Sequence, residues 1–156
     1  MASRIKVDVP NWNDKSTKLR DQVEKQLSKE ILRGKTEIST RTAQGRDVND
    51  QPFIPYSKLY AAEREAKGRK SSPVDLTFTG TMLRSMQTRL EATAEGVAGL
   101  IFFLAGRPDG LNNAEIAAKL QSGDFGFKKK KPRKFFALSE KLTREIISNI
   151  RKALKL

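Results

Sequence analysis

The chain has neither cysteine nor histidine in its 156 residues. The first absence removes disulfides, thiolate nucleophiles and cysteine-bound zinc or iron–sulfur clusters. The second removes serine–histidine and cysteine–histidine catalysis, imidazole general bases and histidine-held metals. Long apolar runs are lacking too. The longest, residues 97–105, is far too short to cross a bilayer, and the first ten residues hold no apolar signal core. These two features predict a soluble protein made in the cytosol, with no membrane partner.

Carboxylates are the remaining route to metal chemistry, and they are scattered. Asp47, Asn49 and Asp50 crowd one segment but lack the central glycine and bidentate glutamate of a calcium loop. Asp47, Asp50, Glu63, Asp75 and Asp109 could offer magnesium ligands to a nuclease, yet they share no periodicity and no lysine at fixed spacing. No enzymatic activity, metal site or cofactor is therefore expected. Acidic residues are also in the minority: 31 Lys and Arg against 18 Asp and Glu leave a net charge of +13. Such an excess favours polyanionic partners, whether nucleic acid or an acidic protein surface.

The organising stretch is residues 87–105. Its first half alternates, with Thr88, Leu90, Ala92 and Ala94 on one side and Gln87, Arg89, Glu91 and Thr93 on the other. That period of two marks a half-buried strand. The second half, residues 97–105, is apolar throughout and reads as a more deeply buried strand. Ala94, Glu95 and Gly96 supply a short hairpin loop between them.

Helices are expected around this hairpin. A short strand through Ile5, Val7 and Val9 ends at Pro10, and Asn13 or Asp14 caps a helix running to about Arg33. Its Leu19, Val23, Leu27 and Ile31 recur every four residues, and Gly34 stands where a helix stop belongs. Residues 35–43, rich in Thr and Ile, alternate like a strand, and residues 44–55 form a turn-rich loop. Ser57 caps a helix over 58–67 that carries a Glu63–Lys67 pair and stops at Gly68. Residues 74–78 read as briefly extended, and Thr79 or Thr81 caps a helical turn or two with Met82, Leu83 and Met86 inward. Asn113 caps a helix through Ser122, stopped by Gly123.

The strongest helix begins after Ser139. Leu142, Ile146, Ile150 and Leu154 repeat every four residues, Ile147 and Ala153 widen the stripe, and the face is expected against the hairpin. The whole predicts an α+β fold, a small antiparallel sheet with a central hairpin packed by N-terminal, middle and C-terminal helices. At this length the chain fits one domain, burying roughly 68–70% of its unfolded surface, with extended loops at about 44–56 and 124–137.

The last of these loops carries the densest charge. Lys128, Lys129, Lys130, Lys131, Arg133 and Lys134 crowd seven positions, flanked by Phe125, Phe127, Phe135 and Phe136. The cations are candidates for contact with DNA or a protein partner. The phenylalanines could stack on single-stranded bases, but core packing is the plainer reading of them.

Two blocks of sequence carry a resemblance. Residues 45–86 contain Pro55-Tyr56-Ser57, then Val74-Asp75-Leu76, then Thr79-Gly80 followed by Met82-Leu83. Residues 132–150 contain Arg133 with Phe135-Phe136 ahead of the last helix. Their order and spacing resemble the bacteriophage virion-morphogenesis proteins, also called tail-completion, neck or minor tail proteins. Together the blocks span 61 of the 156 residues. The resemblance implies a structural virion protein, assembled in the bacterial cytoplasm into a ring of identical copies at the head–tail junction. Its partners would be itself, neighbouring connector and tail proteins, and genomic DNA in the channel. The alternative is a basic nucleic-acid-binding module unrelated to virions.

Overall fold

The computed structural model describes residues 2–8, 16–77, 80–107, 110–124 and 131–154. The order along the chain is β1 (Ala2–Asp8), α1 (Thr17–Ala43), α2 (Lys58–Ala66), α3 (Thr81–Arg84), β2 (Met86–Thr93), β3 (Gly96–Phe103), α4 (Asn113–Ser122) and α5 (Glu140–Leu154). The three strands form one antiparallel sheet in the order β1-β3-β2. Helices pack around it, giving the small α+β fold that the sequence predicts.

The hairpin is where its alternation puts it. Met86 pairs with Phe103 and Thr93 with Gly96, leaving Ala94 and Glu95 as the turn. β3 is the central strand, which is why its sequence is apolar throughout: Val97, Ala98 and Ile101 are all essentially inaccessible. Gly96 has a close neighbour across the sheet, since a Cβ there would lie 2.1 Å from the carbonyl oxygen of Val7.

The largest departure is α1. It runs 27 residues, straight through Gly34 and through the stretch expected to be a strand. The apolar stripe does not stop at Ile31 but continues through Gly34 to Ile38 and Thr42, all buried. Gly34 serves packing rather than termination, because a Cβ there would stand 2.9 Å from Leu138 Cδ2 and 3.2 Å from Ile101 Cδ1. The same closeness recurs on the sheet, where a Cβ on Gly99 would meet Ile31 Cγ2 at 2.3 Å. At its other end α1 starts after Ser16, whose Oγ accepts from the Leu19 amide at 3.4 Å. The expected caps, Asn13 and Asp14, lie outside the described residues, as do Val9 and Pro10.

Smaller corrections follow the same logic. The single turn of α3 is capped by Gly80, at φ 74, with no side-chain hydrogen bond, and Thr81 is its first helical residue, not its cap; Thr79 lies outside the described residues. Residues 74–77 are not extended but turn, with Leu76 at φ 54. Asn112, not Asn113, caps α4 through the Ala114 amide, while Asn113 is fully buried and its Nδ2 donates to the Leu104 carbonyl at 2.9 Å. Gly123, at φ 74, closes α4 as expected.

Ser139 caps α5, its Oγ accepting from the Leu142 amide at 3.2 Å. Leu142, Ile146 and Ile150 are buried in the cluster shared by α1 and the sheet. α5 packs mainly along α1, which itself packs against β2 and β3, so the face expected against the hairpin meets α1 first. Ile147 and Ala153 do not widen the stripe; both are exposed.

Candidate functional site

Residues 45–57 form a loop held by its own side chains. Asp47 Oδ1 accepts from the amides of Asn49 and Gln51, at 2.8 and 2.9 Å, as an Asx turn does. Asp50 pairs with Arg46 at 3.1 Å and adopts φ 62. These carboxylates are occupied in turn formation. Among the described residues no group of three or more acidic side chains could hold a metal ion. Glu63 is paired with Lys67 at 2.7 Å, and Asp109 lies outside the described residues.

The loop delivers Tyr56 to the start of α2, where Ser57 caps the helix through the Tyr60 amide. Tyr60 and Arg64, four residues apart, fall on the same helical face. The two tyrosine rings meet edge to face, with centroids 5.0 Å apart. The Arg64 guanidinium lies 4.7 Å from the centre of the Tyr56 ring and 6.0 Å from that of Tyr60.

Arg64 is only 1% exposed and fully engaged. Its Nε donates to the Lys70 carbonyl at 2.8 Å, its Nη1 to the Thr77 carbonyl, and its Nη2 to Asp75 Oδ1 at 3.1 Å. The same Asp75 oxygen accepts from the Thr77 amide at 2.9 Å and from the Tyr56 hydroxyl at 3.4 Å. Asp75 is thus a junction in a hydrogen-bonded network and not a free ligand.

Arg133 enters from the far end of the chain. Its guanidinium lies 5.3 Å from the Tyr56 ring centre, and its Nη2 donates to the Ile54 carbonyl at 3.3 Å. Burial lowers its pKa below the usual arginine value. The segment around it is tied down by hydrogen bonds from the Arg133 amide to the Leu120 carbonyl at 2.9 Å and from the Val48 amide to the Lys134 carbonyl at 2.8 Å. From α1, Arg41 Nη2 donates to the carbonyls of Phe135 and Ala137, both at 2.9 Å. Phe135 and Phe136 then turn inward against Phe103 and are core residues, unavailable for base stacking.

A cavity of about 640 Å³ opens beside this cluster. Pro55, Tyr56, Ser57, Gly80, Lys131 and Arg133 all line it. The structure therefore gathers six of the singled-out positions around one cavity, with Asp75 in the network beside it. Lys134 is exposed and contributes its backbone, while Lys128, Lys129 and Lys130, with Phe125 and Phe127, lie outside the described residues.

Sequence reasoning missed Arg64, Tyr60, Arg41 and the apolar wall of the cavity. The available signal was the Tyr60–Arg64 spacing, but Leu59 competes for the inward face of α2. In the structure Leu59 is 84% exposed.

The buried network makes a prediction. Burial pushes the Tyr56 phenol up from 10.0 to about 12, with Arg64 opposing and Asp75 adding to the rise. Because the folded state holds this proton more tightly than the unfolded chain, the associated stability is intact below about pH 10 and is lost as pH climbs toward the folded value. In a Tyr60→Phe variant, absorbance titration of the remaining tyrosine should give a midpoint well above 10. A midpoint at the ordinary value would mean that the phenol is solvated.

Comparison of the chain with protein families, with curated proteins and with solved structures finds no match. Among the described residues no helix is long and apolar enough to cross a membrane.

Proposed function

We propose that the chain is a non-catalytic structural protein of a bacteriophage virion. It forms, with identical copies, a ring at the head–tail junction that joins the connector to the tail. The observation that carries this reading is the meeting of the two motif blocks. Tyr56 and Asp75 belong to one, Arg133 to the other, and they share a single contact network although the hairpin and α4 separate them in sequence. Motif positions scattered for unrelated reasons would have no cause to converge.

Burial of Phe135 and Phe136 supports this reading over a single-strand-binding module, because it withdraws two of the four phenylalanines flanking the basic run from base stacking. On this reading the excess of 31 Lys and Arg over 18 Asp and Glu faces an acidic adjoining ring or the DNA passing through the channel.

Sedimentation and electron microscopy of the purified chain test the proposal. The expected result is a closed ring of identical copies, formed alone or on addition of connector or tail. A monomer or dimer that captures duplex DNA, with affinity falling steeply as salt rises, would replace it with the nucleic-acid reading.

A further inference from the structure

The cavity beside Tyr56 is more than a seam between motif residues. Its apolar lining includes Ile54, Leu76, Met82, Ile116 and Leu120, and its cations are Arg107, Lys131 and Arg133. No carboxylate lines it among the described residues. The volume, about 640 Å³, lies within the range of pockets that accept a ligand of several side chains' size.

Arg133 is the chemical key. Its guanidinium is partly desolvated, makes no ion pair among the described residues, and has a buried Nε without a hydrogen-bond partner there. A cation withdrawn from water without a counter-ion is costly, so an anion brought to it regains what burial lost. Lys131, exposed at the same cavity, adds a second positive charge. The aliphatic part of the wall offers a base edge no donor or acceptor, and of the hydroxyls of Tyr56, Ser57, Tyr60 and Thr81 that also line the cavity the first is committed to Asp75, which favours an apolar body over a base. An apolar body with an anionic neighbour matches both parts of the lining.

We propose that this cavity docks an acidic–apolar peptide segment of a partner protein. A large apolar side chain fills the space among Leu76, Met82, Ile116 and Leu120, and an adjacent carboxylate reaches Arg133 and Lys131. The proposal rests on the virion reading only for who the partner is, an adjoining ring protein. The binding chemistry stands apart from it.

The test uses two pentapeptides, acetyl-EEWLE-amide and its neutral counterpart acetyl-QQWLQ-amide, titrated into the labelled full chain at low salt with amide shifts as the readout. The acidic peptide should bind about tenfold or more tightly than the neutral one and move the signals of Leu76, Ile116 and Leu120. Ile54→Glu, at a 41% exposed position, should abolish binding without unfolding the chain. Lys131→Gln should weaken it several-fold, while Lys152→Gln, far off on α5, should change nothing.

Equal affinity for the two peptides, shifts confined to other surfaces, or binding indifferent to Ile54→Glu would each overturn the proposal. So would an oligothymidine that displaces the peptide from the same residues, which would make the cavity a nucleic-acid site. A chain that forms rings yet ignores both peptides loses the docking site and keeps the virion reading. A chain that binds the acidic peptide but stays monomeric even with connector and tail added does the reverse.

Discussion

Arg64→Met should destabilise the protein by about 3 kcal/mol, seen as a lowered urea midpoint with an unchanged slope. The side chain is 1% exposed and serves three acceptors: the carbonyls of Lys70 and Thr77 and the carboxylate of Asp75. Methionine fills much of the volume but donates nothing. Two carbonyls and a carboxylate then lose their donor together, and removing one member of a buried pair typically costs about 3–5 kcal/mol. The lower end applies because the Asp75 side chain keeps 27% of its surface open to water. Adding Asp75→Asn should recover part of the loss, since the amide no longer needs a cation and its oxygen still accepts from the Thr77 amide. Lys67→Met, at the C-cap of the same helix but 52% exposed at its side chain, is the control and should do little. An unchanged midpoint for Arg64→Met would mean that α2 and residues 70–77 are held together by something other than this network.

Ile146→Ala carries the second large effect. Ile146 is 0% exposed, at the centre of the face that α5 turns to α1. Cutting a buried isoleucine to alanine costs about 2–5 kcal/mol, the transfer energy of the lost methyl groups plus the cavity left behind. Against the roughly 5–15 kcal/mol of an ordinary domain, that should lower the melting temperature by many degrees. Lys152→Ala, on the exposed side of the same helix, should stay within about 0.5 kcal/mol of the parent. Equal and negligible shifts for both would show that the Leu142–Ile146–Ile150 face is free and awaits a subunit.

The hairpin and α5 were legible because each has one dominant period. β2 alternates by two, and the apolar positions of α5 recur by four. α1 was only half legible. Ile38, Ser39, Thr40, Arg41 and Thr42 alternate in a strand-like way, yet Ile38 and Thr42 also stand four apart, and that second pattern continues the stripe from Ile31. Packing decided between them. The missing side chain of Gly34 lets Leu138 and Ile101 approach, so a residue that reads as a stop works as a contact. Threonine is accommodated locally, with Thr36 Oγ1 donating back to the Leu32 carbonyl at 3.0 Å.

The candidate site divides along a similar line. Tyr56, Asp75 and Arg133 were named through a resemblance, whereas Arg64 was invisible. A cation in a short charged helix reads as solvated, and nothing local announces that residues 70–77 fold back over it. Its partners lie six to thirteen residues further along the chain, in a segment without a periodic signal of its own. Arg41 is hidden for a stronger reason, since the carbonyls that accept from it are 94 and 96 residues away.

The strand order has a consequence for synthesis. β1 pairs only with β3, Ala2 with Phe102 and Asp8 with Gly96, so the partner of the first strand is translated after α1, α2 and β2. At about 5–20 residues per second that delay lasts seconds, while α1 can form within about a microsecond of leaving the ribosome. Throughout the wait, Ile5 and Val7 belong to an unpaired extended segment, the kind that sticks to other nascent chains. Arg4, Lys6 and Asp8, interleaved with them, keep that segment hydrated until its partner arrives. The charges on β1 thus act as a chaperone written into the strand, useful before there is any sheet to protect.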